Sequence, residues 1–222
     1  ARSQKVAKDY LADLKGVLVT DGHHSFNILM SDSLILASDW AHCRRYFVRA
    51  ENNFPEEAKL FLALIAELFK IEEQLKGQPP DVIEKTRKEK SKPITDQIRL
   101  ALDETPHLKS SSLGKAIAYA NRLWDRLIIF LTIPQVPLTT NGIERSMRTP
   151  AVGRKNHYGS KNMRTAKNAA IWYTIVETCK LNGVNCEEYI VYALKAVLKN
   201  KTVLLPWEFS TQAAQESLRS GT

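Results

Sequence analysis

The chain has 222 residues, of which 44% are hydrophobic, and it carries a net charge of +8 with a pI near 9.4. This length fits one large domain or a domain with an insertion, and the hydrophobic share is enough for a sizeable core. Such a basic balance favours a polyanionic partner, and nucleic acid is the commonest one. No apolar run is long enough to span a bilayer. The three cysteines lack CxxC spacing and indicate reduced thiols in a cytoplasmic protein rather than a zinc site.

The first part of the chain combines helices with short strands. Apolar and aromatic residues four apart predict a helix over residues 6–14. Two apolar runs, residues 17–20 and 34–37, predict buried strands that end at Asp21 and Asp39. Asp39 is also placed as the N-cap of the helix that follows. The predicted inner face of that helix comprises Trp40, Cys43 and Phe47.

Residues 54–133 are predicted to be wholly helical and to pack on a core of their own. Apolar residues recur at helical spacing in residues 58–75 and 117–131. Between these segments, residues 81–92 are so charged that they predict a solvated helix, and Pro93 is expected to break it. The residues expected in this core are Ile65, Phe69, Trp124, Leu127 and Leu131.

The last third of the chain is again helical. Asn141 and Glu144 have the spacing of a capping box. Residues 166–180 predict a helix that ends at the following Asn-Gly pair, and residues 185–198 predict another. Residues 204–207 are expected to dock on the body. The inward residues expected for the first of these helices are Ile171, Trp172, Ile175, Val176 and Cys179.

Two carboxylates are the candidate catalytic groups. Asp21 ends a predicted strand, where open α/β sheets place ligand-binding groups, although Asp21 and Gly22 can equally form only a turn. Glu144 either completes a cap or serves as a metal ligand, and the two roles can coexist. Two distant carboxylates can hold Mg²⁺ together with substrate phosphates, but the spacing of Asp21 and Glu144 does not by itself show that they meet.

A dense basic field follows Glu144. Residues 145–168 contain seven Lys and Arg residues and no acid, which accounts for most of the net charge. A lone acid beside such a field suits a site where a metal lies next to phosphates, and the alternative is a solvated basic face. Gly153 and Gly159 are expected to leave room for a phosphate close to the backbone. The candidate DNA-contacting residues are Arg44, Arg45, Arg145, Arg148, Arg154, Lys155, Lys161 and Arg164.

Several short motifs occur in a recognisable order. They are VTDG at 19–22, WAHCRRYF at 40–47, NGIER at 141–145, GRKN at 153–156, GS at 159–160, ETCKLNGV at 177–184 and LLPW at 204–207. Each is weak alone, but the ordered set closely resembles the catalytic domain of the insertion-sequence-sixty-six family of bacterial transposases. The resemblance runs over residues 3–207 and is weakest over residues 54–110.

The resemblance implies an α/β, mostly helical fold, namely a partial ribonuclease-H-like fold with an all-helical insertion. The first part of that core would be residues 1–53, the insertion 54–133, the second part 134–183, and a C-terminal helix and tail 184–222. It also implies an Asp-Asp-Glu triad that holds two Mg²⁺ or Mn²⁺ ions. Asp21 matches the second Asp of this triad, and Glu144 matches its Glu.

The family's first Asp lies upstream of the helix that precedes the Asp21 strand, and it has no counterpart in this sequence. The family's amino-terminal DNA-binding portion is also absent. We therefore expect the chain alone to be inactive, although the parent protein would be an enzyme. Two smaller departures are the residues after Gly22, where the family often has tyrosines, and the Thr139-Thr140 pair before Asn141.

The function that the resemblance implies is DNA transposition: cleavage of element ends by water, then attack of a 3′-hydroxyl on target DNA. The expected partners are double-stranded DNA and further copies of the chain, in the bacterial cytoplasm at the nucleoid and without a membrane. Two alternatives stay open. One is a ribonuclease-H-like nuclease without strand transfer, and the other is a decayed transposase that acts only as a DNA-binding or accessory protein.

Overall fold

The computed structural model describes residues 4–156 and 160–209, without the side chains of residues 143–146, 154 and 156. The described part is mostly helical with a small parallel sheet, as predicted. The chain divides into two compact units, residues 1–142 and residues 143–222.

The sheet of the first unit has two described strands. The elements are α1 (Gln4–Leu11), β1 (Gly16–Thr20), a 3₁₀ helix (His24–Leu29) and β2 (Leu34–Ser38). Strands β1 and β2 run parallel, with Gly16 opposite Leu34 and Thr20 opposite Ser38. Both predicted strands are confirmed, although β1 is only partly buried. Their carboxyl ends lie at one edge of the sheet, and Asp21 and Asp39 follow there.

Helix α1 buries a different face from the one predicted. Val6 and Tyr10 are exposed, whereas Ala7 and Leu11 join an apolar cluster with Leu29 of the 3₁₀ helix. Both faces show the same four-residue spacing, so the periodicity alone could not select between them. The contact with the 3₁₀ helix decides which face is buried.

The rest of the first unit is helical. Its helices are α2 (Trp40–Glu51), α3 (Pro55–Gln74), α4 (Pro80–Thr86), α5 (Lys92–Glu104), α6 (Ser112–Arg122) and α7 (Trp124–Leu127), followed by a 3₁₀ turn (Ile129–Leu131). Residues 54–133 contain no strand, as predicted. Ser111 caps α6, because its hydroxyl accepts the Gly114 N–H at 2.9 Å.

The prediction of a separate core for residues 54–133 is wrong. Trp40 and Phe47 on α2 lie in the same buried cluster as Phe61 on α3. The Phe47 and Phe61 rings stack with centroids 4.4 Å apart, and the Trp40 indole N–H donates to the Leu127 carbonyl at 2.8 Å. Of the residues expected in that core, Ile65 and Leu127 are buried, whereas Phe69, Trp124 and Leu131 are partly buried.

Two predictions for the charged segment at residues 81–92 are wrong. The segment is not fully solvated, and the helix is not interrupted at Pro93. Helix α4 passes through a π-helical turn (Arg87–Ser91) into α5, and Pro93 falls in the first turn of α5, where proline is tolerated. Arg87 is only 3% exposed. Its guanidinium donates to both carboxylate oxygens of Glu72, at 2.8 and 2.7 Å, and to the carbonyls of residues 130, 133, 134 and 136.

Helix α8 (Asn141–Asn156) begins at the end of the first unit. The second unit also contains α9 (Met163–Leu181), α10 (Cys186–Leu198) and α11 (Pro206–Phe209). Gly183, with φ of +64°, follows α9 as predicted, and the Asn185 side chain caps α10 by accepting two backbone N–H groups. Ile171 and Trp172, which were expected to point inward, are both more than half exposed.

The predicted docking of residues 204–207 is confirmed on α10. The Tyr189 hydroxyl donates to the Leu204 carbonyl at 3.0 Å, and the Leu204 N–H donates to the Tyr192 hydroxyl at 3.1 Å. Phe209 is buried against both tyrosines. This contact closes a small apolar cluster around the buried Cys179.

Candidate active site

Asp21 follows β1 at the carboxyl edge of the sheet and forms a turn. Its Oδ1 accepts the His23 N–H at 3.0 Å, and the Gly22 N–H donates to the Thr20 hydroxyl at 3.2 Å. The His23 ring accepts the Ser25 N–H and begins the 3₁₀ helix. Asp21 is partly exposed, so the carboxylate both orders the turn and stays reachable from solvent. The turn interpretation is therefore correct, and it does not exclude a role as ligand.

The end of α6 holds the Asp21 turn from the other side. The Tyr119 hydroxyl donates to the Asp21 carbonyl at 2.7 Å, and Arg122 donates to the Gly22 carbonyl at 3.3 Å. Gly22 has φ of +74°, and a Cβ at this position would collide with the Leu123 side chain. Burial raises the pKa of Tyr119, so its hydroxyl stays protonated and donates at neutral pH. Sequence reasoning missed this contact because no local pattern links residues 98 positions apart.

Asp39 is fully buried and joins three segments. Its Oδ1 accepts the N–H groups of Ala41 at 2.5 Å and His42 at 3.1 Å, which confirms the predicted N-cap of α2. Its Oδ2 accepts the Thr140 N–H at 2.9 Å and also the Thr140 hydroxyl. Next to it, the Trp40 N–H donates to the Leu138 carbonyl at 3.0 Å. Residues 138–140 are thus attached to the carboxyl end of β2, directly before α8 begins.

Burial by itself raises the pKa of Asp39, but hydrogen bonds from Thr140 and His42, and the charge of His42, outweigh it. The pKa of Asp39 therefore lies below its usual value. A carboxylate with these hydrogen-bond partners is fully engaged in holding the fold, so its predicted structural role is favoured over that of a metal ligand.

Asp39→Asn is expected to destabilise the fold at neutral pH and to lose this effect in acid. A depressed pKa contributes stability above the unfolded-state value of about 3.9, and this contribution disappears as the pH falls through the folded-state pKa. Urea unfolding of the wild type and of Asp39→Asn, from pH 7 down to pH 3, measures the difference between their free energies of unfolding. The exposed Asp32→Asn serves as control and should change the stability little at pH 7. A stability difference between wild type and Asp39→Asn that stays constant over the whole pH range would contradict the lowered pKa of Asp39.

Some of the remaining predicted site residues have side chains that the structure does not describe. Those of Glu144, Arg145 and Arg154 are not described, so the expected distance between Asp21 and Glu144 stays a prediction. Helix α8 begins at Asn141 itself, one position earlier than the start at residue 142 that a cap on Asn141 would require. The described basic residues of the prediction are all exposed, namely Arg44, Arg45, Arg148, Lys155, Lys161 and Arg164.

The expected room for a phosphate at Gly153 is already filled. A Cβ on Gly153 would collide with the hydroxyl of Tyr173 on α9, so this glycine allows α8 and α9 to approach closely. Pro150 lies inside α8, where it removes one backbone hydrogen bond. Gly159 lies outside the described residues. Helix packing, and not ligand binding, thus explains Gly153.

The described residues contain no group of three His, Cys, Asp or Glu side chains that could hold a metal ion. Carboxylate oxygens are the ligands that Mg²⁺ prefers, and Asp21 supplies one such group at the sheet edge. Its predicted partner Glu144 cannot be placed, so the two-metal site stays a prediction. No described helix is long and apolar enough to cross a membrane.

The fold and site define a mostly helical α/β protein with an acidic turn at the carboxyl edge of a parallel strand pair. A family model described as "Transposase IS66 family" matches residues 1–168. The chain therefore belongs to the IS66 transposase family. No solved structure matches it.

Three curated relatives come from Sinorhizobium fredii (strain NBRC 101917 / NGR234). The uncharacterized protein y4jD is 29% identical over 225 residues, which covers 94% of this chain and 44% of y4jD. The uncharacterized protein y4hP is 32% identical over 154 residues, or 67% of this chain and 28% of y4hP. The uncharacterized protein y4qI is 27% identical over 92% of this chain and 41% of y4qI. The chain thus spans less than half the length of these relatives.

Proposed function

We propose that this chain forms part of the catalytic core of a DNA transposase, in a ribonuclease-H-like fold interrupted by helices. The reaction is cleavage of DNA at the ends of an insertion sequence, followed by joining of the freed 3′-hydroxyl to target DNA. Family membership supports this proposal. The parallel β1–β2 pair, with Asp21 after its first strand, agrees with a sheet that carries catalytic groups at its carboxyl edge.

The attachment of residues 138–140 to Asp39 is the observation that carries the proposed site. It brings the chain to the carboxyl end of β2 just before α8, and the carboxyl end of β1 with Asp21 is the neighbouring strand end. Glu144 follows Thr140 by four residues, which is about one helical turn. Asp39 thus holds the residues just before α8 at the carboxyl end of β2, the strand next to the one that Asp21 follows.

In this proposal Asp21 and Glu144 are metal ligands, together with a further Asp of the intact protein. Bound Mg²⁺ or Mn²⁺ would stabilise the charge that develops on the phosphate during cleavage and joining. The Tyr119 and Arg122 contacts hold the backbone of the Asp21 turn at the sheet edge. Positioning of this kind supplies much of the catalysis of phosphoryl transfer.

The basic residues are proposed to bind the phosphates of double-stranded DNA, without reading its bases. Residues 145–168 have no acid that would repel the backbone. Arg44 and Arg45 lie on α2, five and six positions after Asp39, and both are exposed. We also propose that further copies of the chain take part, because the two ends of the element would be brought together during the reaction.

The test uses the gene product that carries this chain and duplex DNA with the ends of the insertion sequence that encodes it. With Mg²⁺, strand cleavage followed by joining to a target plasmid is expected. Cleavage without joining would overturn the proposal in favour of a nuclease. Binding without cleavage would overturn it in favour of a DNA-binding or accessory protein.

Replacing Arg148 and Lys155 with alanine is expected to weaken binding to all duplex sequences alike. These exposed residues lie seven positions apart on α8, so they share one side of the helix. If about four phosphates are neutralised, log K falls with log[salt] with a slope near −3.6, and the double variant should be shallower by up to ~2 units. Fluorescence anisotropy across a salt series measures this slope.

Lys199→Ala with Lys201→Ala is the matched control, because it removes the same charge from exposed positions after α10. The control pair should leave the slope almost unchanged. Equal losses in both double variants would show that total charge matters, and not the α8 surface.

A further inference from the structure

Two cysteines on either side of the turn between α9 and α10 belong to one apolar cluster. Cys179, near the end of α9, is fully buried, and Cys186, the first residue of α10, is partly exposed. Cys186 packs against the apolar cluster that contains Cys179. The third cysteine, Cys43, is fully buried in the first unit.

The backbone of the turn holds this pair together. The Val184 N–H donates to the Cys179 carbonyl at 2.9 Å, and the Asn182 N–H donates to the same carbonyl at 3.1 Å. Gly183 reverses the chain with φ of +64°, and the Asn185 side chain then starts α10 by accepting the Glu187 and Glu188 N–H groups. The turn thereby brings the start of α10 back toward Cys179, the buried residue near the end of α9.

The two thiols differ in access to solvent. Burial, with the charge and hydrogen bond of Cys186, raises the pKa of Cys179 to about 11, so Cys179 is a protonated thiol at neutral pH. Cys186 is the member of the pair that a soluble oxidant can reach. A reachable thiol beside a sheltered one is the arrangement in which the first is oxidised and the second resolves it.

We propose that Cys179 and Cys186 are an oxidation site, at which a peroxide forms an intramolecular disulfide. In the first step the Cys186 sulfur attacks one peroxide oxygen, the O–O bond breaks, and sulfenic acid and one water form. In the second step the Cys179 sulfur attacks the Cys186 sulfur, and the hydroxyl leaves as water with the Cys179 proton. Two thiols are oxidised and one hydrogen peroxide is reduced to two waters. The product links α9 to α10, and cellular thiols reverse it.

The experiment treats the full chain with hydrogen peroxide, blocks remaining thiols under denaturing conditions, and analyses the products by mass spectrometry. Trypsin cuts after Lys180, so the two cysteines separate into peptides 168–180 and 181–195. We expect these peptides to be joined, two of the three thiols to be lost, and dithiothreitol to restore both. Cys43, whose pKa is raised to about 12 by burial and by Asp39, should remain a free thiol.

Variants separate the proposal from non-specific oxidation. Cys43→Ser should leave the joined peptides unchanged, and Cys186→Ser should abolish them. Cys179→Ala provides the second test, in which Cys186 should oxidise further to sulfinic acid or join other chains. The proposal is overturned if the wild-type chain yields no joined peptides, or if Cys186 ends mainly as sulfinic acid or in intermolecular dimers.

Discussion

Arg87→Ala is expected to lower the free energy of unfolding by about 3–5 kcal/mol, the loss typical of removing one partner from a buried ion pair. Arg87 is 3% exposed, and its loss leaves the Glu72 carboxylate and the carbonyls at residues 130–136 without their donor. Urea unfolding, monitored by fluorescence of Trp40 and Trp124 in the first unit, measures the change. The midpoint should fall without a change in slope.

Two further variants sharpen this test. Arg87→Lys keeps the charge but loses the planar fork of donors, so it should lie between wild type and Arg87→Ala. Lys76→Ala is the control, because Lys76 follows the end of α3 and its ion pair with Glu73 is exposed, so that this pair should contribute no more than about 1 kcal/mol. A loss for Arg87→Ala as small as that of the control would show that the buried network does not stabilise the fold.

The Arg87 network also bears on the proposed site. The carbonyls that Arg87 holds lie in residues 130–136, and the chain then runs through residues 138–140 to α8. Loosening this segment would disturb the start of the helix that carries Glu144. In the gene product that carries this chain, the proposed function therefore predicts slower DNA cleavage by Arg87→Ala, even at temperatures where most of the protein is folded.

Asp21→Asn and Glu144→Gln are each expected to reduce DNA cleavage by about 100-fold or more in the gene product that carries this chain. A metal at a transferring phosphoryl group supplies several kcal/mol of transition-state stabilisation, and each 1.36 kcal/mol corresponds to a factor of about ten. Both substitutions keep the size of the side chain and remove its charge. The measurement is the rate of cleavage of element-end DNA at saturating Mg²⁺.

The controls are Asp32→Asn, in the exposed turn before β2, and Glu187→Gln, in the first turn of α10. Both remove a carboxylate outside the proposed site, and both should leave the rate within a few-fold of wild type. DNA binding without metal should be unchanged in all four variants, because in the proposed function Asp21 and Glu144 act on the chemical step. Near-normal cleavage by Asp21→Asn would remove Asp21 from the site.

The local elements of this fold were predicted well. The two strands, the Asp39 cap and the Gly183 reversal all depend on groups within a few residues of each other. A cap needs only one side-chain oxygen near the first N–H groups of its helix. Such signals remain readable in the sequence, since they do not depend on distant partners.

The candidate site was predictable only in its residue types. Asp21 stands out because an acid follows an apolar run, whereas Tyr119 and Thr140, which hold the two strand ends, show no pattern of their own. Tyr119 lies 98 positions from Asp21, and Thr140 lies 101 positions from Asp39. Their roles follow from which segments the fold brings to the sheet edge.

By itself the sequence determined that the chain is mostly helical, that two short strands precede acidic residues, and that its ordered motifs resemble one transposase family. These features are short-range periodicities and fixed residue types, and the family model bears out the last of them. The tertiary structure decided which of two equally spaced faces α1 buries, and which base of the charged segment becomes buried. Arg87 is that base because its five-donor fork meets a carboxylate and several carbonyls from elsewhere in the chain. Burial of a charge requires all its partners at once, and only the assembled fold supplies them.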